Sequence, residues 1–103
     1  MKTLKKYKLF ESVDLKKSIK CSIDIEKKAV QDWAINQGYK WTFFEVQCKL
    51  PKTAMFWKTG VVFIKLHKNK EISYTRYDTD NFIEASSIPE VRVMIEANKM
   101  GLI

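Results

Sequence analysis

The hydrophobic period changes several times along the chain, and each change predicts an element. From Asp24 to Gln37 the apolar residues Ala29, Val30, Trp33 and Ala34 recur three and four apart, on one face of a helix. Asp24 is placed to cap that helix, and Gly38 to take the left-handed position that ends it. Over Lys40 to Leu50 the period becomes two. Phe44, Val46, Cys48 and Leu50 fall on one side, and Trp41, Phe43, Glu45, Gln47 and Lys49 on the other, which predicts a half-buried strand. A turn at Pro51, Lys52 and Thr53, the apolar run Ala54 to Trp57, and Gly60 lead to a second strand, Val61 to His67. The turn His67-Lys68-Asn69-Lys70 then returns the chain into a third, Glu71 to Tyr77. Three consecutive strands joined by short connections predict an antiparallel meander. Asp78-Thr79-Asp80-Asn81 is turn chemistry. Ser87-Ile88-Pro89-Glu90 reads as a capping box with proline in the first turn, opening a final helix that buries Val91, Met94, Ile95 and Ala97 and stops before Gly101.

The first twenty residues carry two patterns. Leu4, Tyr7, Phe10 and Val13 recur every third residue, as in a short helix, whereas Tyr7, Leu9, Glu11 and Val13 alternate as an edge strand does. The strand reading is preferred, paired with the alternation of Ile19, Cys21 and Ile23. No repeat, low-complexity stretch or linker divides residues 1–103, so one basic domain is expected. Its fold class is α+β: an antiparallel meander of three to five strands with two helices, one after the N-terminal segment and one C-terminal.

Composition supports a packed interior without staples. Apolar residues make up 46% of the chain and aromatic residues 13%, well above the profile of disordered segments. Cys21 and Cys48 are the only cysteines and no secretory leader opens the sequence, so a cytoplasmic, reduced setting is expected. The longest apolar runs, such as Val61 to Ile64, fall far short of the roughly 20 residues that cross a bilayer. No membrane association is expected.

The charge is +7 and unevenly spread. Residues 1–20 carry 7 Lys against 2 acids and residues 53–77 carry 5 bases against 1, whereas the segment from Asp78 onward has 5 acids against 2 bases. A basic body of this kind attracts polyanions, which favours nucleic acid or an acidic protein surface.

The residues that carry reactions are poorly represented. His67 is the one histidine, flanked by lysine and lacking any motif that supplies an orienting group or a nucleophile. Cys21, Cys48 and His67 lack the close pairing from which structural zinc sites are built. Asp78, Asp80, Asn81 and Glu84 lack the glycine and the closing glutamate of a calcium loop. With Gly38, Gly60 and Gly101 alone, no phosphate-cradling loop can be drawn. The expectation is a non-enzyme without metal or cofactor; the enzymatic alternative is a metal-dependent activity resting on Asp78 or Asp80.

Binding residues are easier to name. If the alternation holds, Trp41 and Phe43 share a sheet surface with Phe63, Lys65, His67, Ser73, Thr75 and Tyr77, where rings stack on bases and ammonium groups follow phosphates. Burial beneath a helix is the competing fate of those rings, and the exposure of Trp41 decides between the two. Lys5, Lys6, Lys8, Lys16, Lys17 and Lys20, with Lys49, Lys68 and Lys70, extend the cationic surface. The scarcity of arginine points to backbone contacts rather than base reading. A second candidate is Met55, Phe56 and Trp57, a hydrophobic cluster suited to protein capture if it lies in a loop.

The order helix, three strands, helix from Asp24 to Met100 resembles the layout of double-stranded RNA-binding domains. The final helix opens Ser87-Ile88-Pro89-Glu90 where that family carries a lysine cluster, so no residue role carries over. Two functions are therefore expected: a small accessory protein binding nucleic acid or a nucleoprotein complex through lysines, or a stoichiometric protein-binding inhibitor or adaptor of the phage or mobile-element type acting on a host protein.

Overall fold

A computed structural model describes residues 17–77 and 80–101. The strand-or-helix question over residues 1–16, the lysines Lys5, Lys6, Lys8 and Lys16, and Asp78 lie outside the described residues.

Strand β1 (Ser18–Cys21) enters helix α1 (Asp24–Asn36), which leads to a two-residue strand β2 (Lys40–Trp41). A long excursion holding only the one-turn helix α2 (Met55–Lys58) follows. Strands β3 (Val62–Leu66) and β4 (Glu71–Thr75) form a hairpin, and β5 (Phe82–Glu84), a 3-10 turn (Ala85–Ser87) and helix α3 (Pro89–Lys99) complete the order.

The fold is α+β, with a five-stranded sheet in the order β2-β4-β3-β1-β5. The expected antiparallel meander is corrected to a mixed sheet: β3 is antiparallel to both β1 and β4, while β1–β5 and β2–β4 are parallel. A helix between β1 and β2 carries the chain back to its starting end, so the two strands run the same way. The strand read over Lys40 to Leu50 survives only at its first two residues. At that point Phe44 N donates to Trp41 O and the chain turns away from β4. The last helix is also capped differently. Its N-cap is Ile88, one residue later than expected, and the Ser87 hydroxyl turns back to Glu84 O at 2.6 Å.

Other ends follow local rules. Glu26 Oε1 accepts from the backbone of Ser22 and Ile23, so it and not Asp24 satisfies the start of α1. Gly38 has φ +95°, and Tyr39 N donates to Ala34 O across the helix end, closing a Schellman turn.

Register and alternation place Ile19, Cys21, Val62, Ile64, Leu66, Ile72 and Trp41 on one face of the sheet. These residues are buried together with Ala29, Val30, Trp33 and Ala34 of α1 and Val91 and Ile95 of α3. Lys20, Phe63, Lys65, Ser73 and Thr75 point to the opposite face.

Candidate functional site

Residues 42–60 have few backbone partners of their own, so their shape depends on side chains that reach in from the scaffold. Lys27 and Gln31, one helical turn apart on α1, are the buried polar residues of the described chain, and both point at this segment. Gln31 Oε1 accepts from the Trp41 indole at 3.0 Å and from Leu50 N at 2.8 Å. Lys27, 1% exposed, donates its ammonium to Phe56 O at 2.9 Å and to Thr59 O, and lies 5.7 Å above the Phe56 ring. A cation there meets the carbonyl end of α2, where the helix dipole welcomes it. Burial lowers the affinity of Lys27 for its proton, partly offset by Asp24 3.9 Å away. Gln47 and Lys40 add further ties, to Ile35 O and Tyr39 O and to Phe44 O respectively.

Under this fastening lies an aromatic box. Trp41 is fully buried and meets Phe43 stacked at 5.9 Å, Phe56 edge-on at 5.3 Å and Tyr74 edge-on at 6.0 Å. Its outer members are exposed: Phe43 at 60% and Met55 at 58%, with Tyr77 at 72% further along β4. Met55, Thr59, Tyr74, Arg76 and Tyr77 line a depression of about 500 Å³, and the Arg76 guanidinium sits 5.9 Å from the Tyr77 ring.

The proposed base-stacking surface does not assemble. Trp41 faces the helices with no exposed area, and Phe63, on the other side of the sheet, is 2% exposed and edge-on to Phe82. Trp41 and Phe63 are therefore removed as stacking residues, because a base needs an accessible ring face. Phe43 is exposed but packs on Trp41 rather than standing on a strand beside Phe63. Lys65 and Lys20 do share the second face, where Lys20 lies 5.1 Å above the Phe82 ring. Lys17 is half-buried at the start of β1, and Lys49, Lys68 and Lys70 are exposed, Lys49 with its ammonium 3.3 Å from Asp32. His67 shares a 2.7 Å hydrogen bond with Ser73.

Of the apolar triplet, Met55 alone is fully presented. One turn of helix sends Phe56 into the aromatic box, leaves Met55 outside and half-buries Trp57 against Phe56 at 4.8 Å. Phe56 is thus corrected from contact residue to support. Sequence reasoning missed Lys27 and Gln31, although both fall on the stripe of Val30 and Ala34. Among the described residues no group of acids, cysteines and histidine is arranged to hold a metal, and no helix is long and apolar enough to cross a membrane. Comparison of the chain with protein-family models, curated proteins and solved structures gives no match.

Proposed function

We propose that the protein is a non-enzymatic binding module that captures an acidic surface of a partner protein through the exposed rim of the aromatic box, Phe43, Met55 and Tyr77. The observation that carries this reading is Met55, held 58% exposed by a helical turn whose neighbouring side chain is wholly buried. Methionine, aromatic and arginine side chains are the ones enriched at protein interfaces, and a support that is already rigid lowers the ordering cost of binding. Charge gives the partner its sign. Residues 42–60 hold Lys49, Lys52 and Lys58 against Glu45 alone, and Arg76 borders the depression.

A second reading, nucleic acid, draws on the hairpin, where the exposed Lys65 and Lys68 form no ion pair among the described residues. One experiment separates the two. The full chain and its Met55→Asp variant are immobilised and exposed to lysate of the source cells, with and without nuclease. Under the protein reading a protein is retained after nuclease treatment and falls at least about tenfold with Met55→Asp, the loss of one interface anchor. Retention that nuclease abolishes, and that Met55→Asp leaves intact, transfers the function to nucleic acid.

A further inference from the structure

On the far side of α2 from Met55, a cleft of about 540 Å³ opens between α1 and the chain near Leu50. Its size falls in the range of small-molecule sites, roughly 300–1,000 Å³. Ile25, Leu50 and the Trp57 indole give it an apolar body, and Lys28, Lys49 and Lys52 place three ammonium groups along it. Asp24 and Asp32 also line it, but each faces a lysine: Asp32 lies 3.3 Å from Lys49 and Asp24 3.9 Å from Lys27. Lys52 has no ion-pair partner among the described residues, and Lys28, bonded to Asn98 Oδ1 at 3.2 Å, keeps further donor capacity. The cleft therefore favours an anion.

A further observation concerns hydrogen bonding. The Trp57 Nε1–H is buried and meets no acceptor. Native proteins rarely leave a buried donor unpaired, and an oxygen brought by an occupant relieves that cost. We propose that this cleft binds a small apolar carboxylic acid, its hydrocarbon against Ile25, Leu50 and Trp57 and its carboxylate toward Lys28 and Lys52. The site is separate from the rim at Met55, so either can fail without the other.

The test uses the full ¹⁵N-labelled chain titrated with sodium octanoate while the three indole N–H signals are followed. Trp57 is assigned by loss of its signal in Trp57→Phe. Octanoate is expected to shift that signal saturably in the millimolar range or below. The exposed Lys52→Ala variant, which leaves the fold intact, weakens the titration about fivefold, the worth of one well-placed charge. Acetate, an anion without an apolar body, gives no saturable shift, and octylamine gives none. A flat octanoate titration overturns the proposal, as does octylamine binding as well as octanoate, or a titration indifferent to Lys52→Ala.

Discussion

Helix α1 holds two regions of the molecule in two different ways. Toward the sheet and α3 it offers hydrocarbon: Ala29, Val30, Trp33 and Ala34 join one cluster with Ile19, Ile64, Val91 and Ile95. Toward residues 42–60 it offers the Lys27 ammonium and the Gln31 carboxamide, which bond Phe56 O, Thr59 O, Leu50 N and the Trp41 indole. The first region consists of strands and helices that satisfy their own backbone groups, so it asks its neighbours only for packing. An irregular segment has backbone donors and acceptors to place, and here the scaffold supplies part of that need from two buried side chains. A single turn such as α2 is too short to stand alone, which makes its position a property of the fastening.

If that contrast is right, the largest effect comes from Lys27→Met. The substitution keeps most of the bulk but removes the donor, leaving the carbonyls of Phe56 and Thr59 buried without a partner. Stability is expected to fall by about 3 kcal/mol in denaturant unfolding, the cost of breaking a buried charged contact. Hydrogen exchange sharpens the point. The Thr59 amide, which bonds Met55 O within the segment, is expected to speed up far more than the Val30 amide in α1. Equal acceleration at both would mean that the two regions form one cooperative unit and the distinction is false.

A smaller loss is expected from Gln31→Met, about 2 kcal/mol, because the orphaned groups are two neutral donors, Leu50 N–H and the Trp41 indole. The Trp41 indole resonance reports the change directly. A variant as stable as the parent, with that resonance unmoved, would show that Gln31 does not hold the segment.

The same contrast explains what could be read from the sequence. Helices α1 and α3, the β3–β4 hairpin and the stop at Gly38 rest on neighbours close in the chain, and period and turn residues reveal those. Strand β5 and the parallel partners of β1 and β2 depend on residues distant in sequence, which no local pattern reports. The alternation of Phe44, Val46 and Cys48 misled because a period of two records where side chains point, not whether a neighbouring strand is there to bond. Val46 is exposed and the chain there is irregular. At the site, the composition of Met55 to Trp57 marked the segment correctly, but its presentation turned on one helical turn. Lys27 and Gln31 escaped because lysine and glutamine on a helix are by default in water.

Alkaline pH offers the gentlest probe, since it acts on groups in both regions. Cys21, fully buried in β1, has its thiol pushed up from the ordinary 9.0, first by burial and then by Glu26, and burial raises Tyr39 from 10.0. In the folded chain both keep protons that the unfolded chain releases, so stability is expected to fall as pH rises above 9.0 for Cys21 and above 10.0 for Tyr39. Lys27 opposes them: burial lowers it from 10.5, so below that value the unfolded chain binds more protons and stability gains as pH rises. Cys21→Ala removes the scaffold contribution alone. Between pH 9 and 10 it is expected to flatten the decline by up to about 1.4 kcal/mol, the linkage worth of one pH unit for one group. Thiol labelling gives an independent reading of the same asymmetry, because Cys48 is half-buried in the irregular segment whereas Cys21 is enclosed by the sheet. Cys48 is expected to react with an aromatic disulfide reagent in the native state, and Cys21 only as the chain unfolds; matched rates would place both cysteines in regions that open together.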